Sequence, residues 1–252
     1  MSLKGKTALI TGSTSGIGLA LAQYFAAAGC NIVMNGFGDA QAIEANRAQL
    51  EAHGVKAIYH GADMTKPDEI EALTAQALET FGTVDVLINN AGIQHVKPID
   101  EFSPEKWDAI IAINLSSAFH TTRLLAPAMK AAGWGRVINI ASVHGLVASA
   151  YKAAYVAAKH GMLGLTKVTA LDLAEFGITA NAICPGYVKT PLVEKQIPEQ
   201  AAAHGISEEE VIRKVFLKNH AVKDFVKTED IAAMAEFLCC LLYTSPSPRD
   251  RG

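Results

Sequence analysis

Apolar residues in this chain come in short, nearly continuous runs, separated by longer stretches in which they recur every three or four positions. "TALIT" (7–11), "NIVMNG" (31–36), "KAIYHGAD" (56–63), "VDVLINNAG" (84–92) and "GRVINIAS" (135–142) are runs of the first kind, and "GITANAICPG" (177–186) contains a sixth. Short Val/Ile-rich runs without polar alternation predict strands covered on both faces, as in a parallel sheet. The stretches between them predict helices over residues 16–29, a polar segment ending near 53, then 65–81, 104–115 and 118–132. Asp63 is expected to end the third strand. Strands alternating with helices predict a doubly wound Rossmann-type α/β domain with a mostly parallel sheet.

No repeat or linker interrupts the alternation, so one domain is expected over residues 1–238. The remaining residues, 239–252, break the pattern. After the apolar helix "EDIAAMAEFL" the chain runs "CCLLYTSPSPRDRG", where Ser, Pro and Arg stand in place of a seventh strand. Such a tail is expected to be loose or non-native, leaving the final edge strand missing.

Charge and cysteine usage narrow the class. The 22 Lys and Arg are scattered against 25 Asp and Glu, for a net charge of -3, with no basic run to meet nucleic acid. No apolar run approaches the ~20 residues of a membrane span. The N-terminus enters a strand pattern directly, so no signal peptide is expected. Cys30, Cys184, Cys239 and Cys240 form no C-x-x-C pair and no H-E-x-x-H is present, so no metal site is expected. This usage fits a reducing cytoplasm, with Cys30 and Cys184 as small buried hydrophobes.

The candidate chemistry begins at "TGSTSGIG" (11–18), between the first strand and the first helix. Gly12, Gly16 and Gly18 permit a tight turn and close backbone approach, and a helix N-terminus attracts pyrophosphate. With Thr14 and Ile17 they form a candidate dinucleotide cradle, in the spacing G-x-x-x-G-x-G rather than G-x-G-x-x-G. The end of strand two should read the adenosine ribose. It is "NGFG", with Asn35 and Phe37 and neither acid nor base, and the next cation is Arg47. The lack of a phosphate partner favours NAD over NADP. Phe37 either packs on adenine or anchors its loop. Asp63 either accepts from the adenine amino group or caps nearby backbone. "NNAG" (89–92) sets two amides and a glycine at the carboxyl end of strand four, where ligands lie in such sheets.

"YKAAYVAAKHG" (151–161) places Tyr155 and Lys159 four apart on one helix face, with Lys152 three before Tyr155. A phenol titrates near ~10, and an adjacent ammonium favours the phenolate, so Lys159 is expected to tune Tyr155 toward useful acid–base chemistry. Ser142, at the end of strand five, can hold a reacting oxygen. Asn114 can bend its helix and anchor a water, or can simply pack between helices.

Together, "TGSTSGIG", "NNAG", Asn114, Ser142 and "YVAAK" (155–159) resemble the short-chain dehydrogenase/reductase family, over residues 4–238. The resemblance implies hydride transfer between a nicotinamide and a carbonyl or alcohol carbon. Tyr155 is then the general acid or base, Lys159 also binds the nicotinamide ribose, Ser142 orients the substrate oxygen and Asn114 supports a proton relay. Asp63, Asn90 and Gly92 fall around adenine and its ribose. Pro185, Gly186, Val188 and Thr190 of "CPGYVKTP" fall at the nicotinamide, Thr190 on its carboxamide. The family also implies a homotetramer, whose interface an intact C-terminal strand would help form.

Gln94, His144 and Lys152 are polar groups expected to converge beside the reacting oxygen, His144 along a strand-like extension two residues past Ser142. Each alone also reads as an ordinary loop residue. Their coincidence suits a small carboxylate. Within the family, "NNAGIQH", "IASVHGLVAS" and "CPGYVKTPLVEKQI" resemble bacterial D-3-hydroxybutyrate dehydrogenases, which implies carboxylate binding by Gln94, His144, Lys152 and Gln196. Tyr187 departs from that group, where a tryptophan is expected against the substrate methyl. The implied function is NAD-dependent interconversion of D-3-hydroxybutyrate and acetoacetate. A 3-oxoacyl thioester reductase would prefer NADP, against "NGFG". A silent nucleotide sensor would have no use for Ser142, Tyr155 and Lys159.

Overall fold

A computed structural model describes residues 2–190, 193–194, 197–198, 201–202, 205–218 and 221–240. Its strands are β1 (Thr7–Ile10), β2 (Asn31–Asn35), β3 (Ala57–His60), β4 (Val86–Asn89), β5 (Gly135–Ile140) and β6 (Ile178–Ile183). They form one sheet, all parallel, in the order β3-β2-β1-β4-β5-β6. The α-helices among the described residues are α1 (Gly16–Ala27), α2 (Ala40–Glu51), α3 (Pro67–Phe81), α4 (Pro104–Ile111), α5 (Ser117–Ala132), α6 (Ala153–Leu173), α7 (Glu208–Val211) and α8 (Thr228–Cys240).

Strand side chains point alternately to the two faces, and both faces are covered. Leu9, Val33, Leu87 and Val137 meet Ile70, Leu73 and Ala77 of α3 and Leu125 and Met129 of α5. Ile10, Met34, Ile88 and Ile140 meet Leu21 and Phe25 of α1 and Ile231 and Ala235 of α8. This double burial is why the strands carry near-continuous apolar runs, each fully buried Leu or Ile stabilising the fold by roughly 1.5–3 kcal/mol.

The strands stop short of the sequence runs that announce them. β3 ends at His60, so Asp63 lies in the following loop and not on the strand. There the Ala62 amide donates to His60 Nδ1 at 3.1 Å, and Asp63 Oδ1 accepts from the Thr65 amide and hydroxyl at 2.9 and 2.8 Å. These local side-chain bonds replace the ladder.

The two helices expected over 104–115 and 118–132 are one rod, with α4 passing into α5 through a π-helical turn, Ala112–Ser116. No Gly or Pro stands at the junction, residues 112–118. Asn114 sits in the turn, its Oδ1 accepting from the Ile93 amide and its Nδ2 donating to the Ile93 carbonyl, both at 2.9 Å. Clamping one helical residue to a neighbouring loop accompanies the extra residue of a π-bulge.

α8 continues to Cys240, past residue 238, because Cys239 is buried in the core and its carbonyl accepts from Arg136 Nε at 3.0 Å. The expected non-native tail and lost edge strand fall otherwise on 241–252, outside the described residues. No helix among the described residues is long and apolar enough to cross a membrane.

Strand order reverses direction between β1 and β4, one winding toward β3 and the other toward β6. The loops leaving the carboxyl ends of these two strands part there and open a crevice.

Candidate active site

The crevice is a cleft of about 410 Å³. At one end lies the turn after β1. Gly12 has φ +64°, a left-handed value, and a Cβ there would come within 2.9 Å of Ala91 Cα. Asn90 Nδ2 donates to the carbonyls of Thr11 and Gly12 at 3.0 and 3.1 Å, tying β4's loop to the turn. Thr14, Gly16 and Ile17 line the cleft, as do Asn90 and Gly92. Gly18 does not. A Cβ on it would overlap the Gly12 carbonyl, so this glycine lets α1 close down on the turn from behind. Ser15, the N-cap of α1, makes no side-chain cap, so no capping side chain competes for the first-turn amides. A tight glycine cradle at an uncapped helix start fits a pyrophosphate.

The end of β2 reads differently from the expectation. Asn35 is buried, with Nδ2 donating to the carbonyls of His60 and Ala62 at 3.1 and 3.0 Å and Oδ1 3.4 Å from the Gly12 amide. Its amide braces three strand ends and adds only wall to the cleft. Phe37, 67% exposed, lines the cleft, and its carbonyl accepts from Thr14 Oγ1 at 2.8 Å. Asp63 reaches the cleft from its loop, capping Thr65 with one oxygen; the bonds from Thr65 hold its carboxyl below the usual range. Arg47 is locked away: its guanidinium pairs with Glu44 at 2.6 Å and Glu51 at 2.7 Å and donates to the Ala57 carbonyl.

At the other end, Ser142, Tyr155 and Lys159 share the cleft wall with Pro185, Gly186, Val188 and Thr190. Ser142 lies two residues past β5. Its hydroxyl accepts from the His144 amide at 3.1 Å and lies near the Tyr155 phenol. Lys159 is 3% exposed, donates to the Ile140 carbonyl at 2.7 Å and lies 5.7 Å from the centre of the Tyr155 ring. Gly145 makes this approach possible, since a Cβ on it would sit 2.8 Å from the Lys159 carbonyl. Asn114 is fully buried behind the cleft rather than in it, its amide committed to Ile93, so its contact with the site runs through the Ile93–Gln94 loop.

The phenol is not lowered as the spacing suggested. Burial pushes Tyr155 up, with the nearby Ser142 hydroxyl acting against it. Burial also lowers Lys159, from 10.5 to about 8. Removing water costs both charged forms more than their proximity returns. A measurable consequence follows from the lysine. Between pH 8 and 10.5 the unfolded chain binds the proton that the folded chain releases, so this group's contribution to stability rises with pH. The unfolding free energy of the chain, relative to Lys159→Met, is expected to gain about 2 kcal/mol from pH 8 to pH 10. A pH-independent difference in chemical denaturation would show that the ammonium keeps its water.

Gln94, His144, Lys152 and Tyr187 line the same end. His144 stands not on a strand-like extension but in a single 3-10 turn, Val143–Gly145, which swings its ring edge-on to Tyr155 at 6.2 Å. Burial first, then the nearby Lys152 ammonium, lower its pKa, and burial lowers Lys152. Among the described residues no carboxylate pairs with Lys152. Gln196, expected in the same group, lies outside the described residues. Cys184 is partly buried, packed against Ala118, Ala141 and Met162, rather than fully buried. Sequence reasoning missed a buried network that fixes α6, which carries Tyr155 and Lys159. Asn89, expected in the cleft, instead donates to Asn139 Oδ1 and accepts from Thr121, and Asn139 donates to Thr166 of α6 at 2.8 Å. The consecutive asparagines of β4 are the signal for it, because a strand turns successive side chains to opposite faces.

The short chain dehydrogenase family model matches residues 6–201. The chain is 58% identical over 236 residues to a D-beta-hydroxybutyrate dehydrogenase of Cupriavidus necator, covering 94% of this chain and 91% of that one. A crystal structure of an actinorhodin polyketide ketoreductase variant with NADPH superposes with a TM-score of 0.86 at 34% identity, over 93% of this chain and 90% of that one. An NAD+-bound xylitol dehydrogenase superposes equally well, at 28% identity, over 95% and 94%. Sheet order, cleft chemistry and these likenesses agree: the chain belongs to the short-chain dehydrogenase family.

Proposed function

We infer that this protein interconverts D-3-hydroxybutyrate and acetoacetate, with NAD as its nucleotide. The observation that carries the substrate reading is the Lys152 ammonium, partly desolvated near His144, without a carboxylate partner among the described residues, in the cleft that Gln94, Ser142 and Tyr155 also line. A cation drawn partly out of water without an acid is costly unless a ligand supplies one. The relative of 58% identity acts, by its name, on this same substrate.

In oxidation, Ser142 and Tyr155 hold the C3 hydroxyl, and Tyr155 accepts its proton while Ser142 donates to the same oxygen. The nucleotide, when bound, supplies the acceptor for the hydride leaving C3. Lys159 favours the phenolate and binds the nicotinamide ribose. Asn114 holds the Ile93–Gln94 loop in register with the substrate. Gly12, Gly16 and the α1 amides take the pyrophosphate, and Thr190 is the candidate donor to the carboxamide.

Lys152→Ala is expected to cut kcat/KM for D-3-hydroxybutyrate by about 1.5–3 kcal/mol, the worth of a charge-assisted contact, with nucleotide binding preserved. Equal losses with the hydroxy acid and a neutral alcohol would remove Lys152 as the anchor.

The choice of NAD is supported by the neutral β2 end and by Arg47, which two carboxylates sequester from a 2′-phosphate. Reduction of NAD and of NADP with D-3-hydroxybutyrate as sole substrate tests both halves at once. Turnover is expected with a kcat/KM ratio favouring NAD; a ratio favouring NADP overturns the nucleotide assignment, and no turnover overturns the substrate.

A further inference from the structure

We propose that the Tyr187 hydroxyl determines specificity for acids: it receives the Lys152 ammonium and directs its own proton to the substrate carboxylate. The proposal rests on the reading of Lys152 as carboxylate anchor. Lys152 Nζ lies 3.5 Å from Tyr187 Oη and 5.6 Å from the centre of its ring. An ammonium carries only donors, so the phenol oxygen is the acceptor, and its O–H must point away from Lys152. Tyr187 lines the same cleft as Lys152 and lies close enough to Tyr155 to help push that phenol up.

The ring has little freedom to move its hydroxyl. Phe216, in the π-helical turn Ile212–Phe216, meets it edge-on with centroids 5.0 Å apart, and Phe225 backs Phe216 at 6.5 Å. The Tyr187 carbonyl accepts from the Val226 amide at 2.9 Å. A phenol polarised by an ammonium is a better donor, and donation to a carboxylate is charge-assisted. A carboxylate on Lys152 therefore meets a second donor 3.5 Å from the first, which a neutral alcohol cannot use.

Tyr187→Phe keeps the ring and its contact with Phe216. The ratio of kcat/KM for D-3-hydroxybutyrate to that for 2-butanol is expected to fall about tenfold, mostly through KM. Acetate, as a competitive inhibitor, is expected to bind about tenfold more weakly, a readout that needs no turnover of the alcohol. In a Lys152→Ala background, Tyr187→Phe is expected to change the ratio less than about threefold, because the ammonium that orients the phenol is gone. A ratio and an acetate inhibition constant unchanged by Tyr187→Phe overturn the proposal, as does an undiminished effect in the Lys152→Ala background. Acid preference that survives Lys152→Ala overturns the carboxylate reading itself, and is told apart by that single variant.

Discussion

Tyr155→Phe is expected to reduce turnover of D-3-hydroxybutyrate by at least about 10²–10⁴-fold, the usual worth of general acid–base catalysis, with NAD affinity within about twofold of the parent. The substitution removes one oxygen and leaves the ring, so the edge contact with His144 and the position over Lys159 persist. What is lost is the phenol oxygen beside Ser142 that, in the proposed mechanism, exchanges a proton with the substrate. Because burial keeps the phenol protonated, Tyr155 is ready as the acid for reduction, whereas oxidation needs the cation at Lys159 to favour the phenolate. Losing one phenol hydroxyl costs about 1 kcal/mol of stability, too little to unfold a domain with two covered sheet faces. Stopped-assay kcat and a fluorescence titration with NAD separate the two quantities. Near-normal turnover with Phe at 155 would remove this tyrosine from the chemistry.

The sheet was legible in the sequence because burial on both faces writes itself as unbroken apolar runs, and the four-residue spacing of Tyr155 and Lys159 survives as one face of α6. Less legible was anything that depends on which way a polar side chain turns. Asn35 and Asn89 stand at strand ends where a ligand was expected, yet both turn inward to satisfy backbone or buried amides. Asn114 is in the chemistry's neighbourhood but bonds Ile93 rather than facing the cleft. His144 arrives by a 3-10 turn that its own backbone bond to Ser142 helps to form, which no periodicity announces. Electrostatic tuning was the least legible. Spacing puts a cation beside a phenol, but the sign of each shift depends on how much water the fold removes from both, and here burial dominates.

Gly18→Ala is expected to lower the unfolding free energy by about 1–3 kcal/mol and to weaken NAD binding by about tenfold or more. The objection is purely steric, since Gly18 lies in α1 without a left-handed φ. A Cβ there overlaps the Gly12 carbonyl and comes within 2.6 Å of Asn90 Nδ2, the amide that ties the turn to β4's loop. The carbonyl is backbone and the Asn90 amide, though a side-chain end, is held by its two bonds to the turn, so the turn itself must shift, and it moves away from the α1 amides that would face pyrophosphate. Gly164→Ala is the matched control. It lies exposed on α6 with nothing within 4 Å of a built Cβ, so alanine there is expected to stabilise by about 0.5–1 kcal/mol and leave NAD binding alone. Opposite signs in thermal unfolding, with the loss of NAD affinity confined to Gly18→Ala, are the expected result. If the two alanines behave alike, the glycine at 18 is not what brings the helix against the phosphate turn.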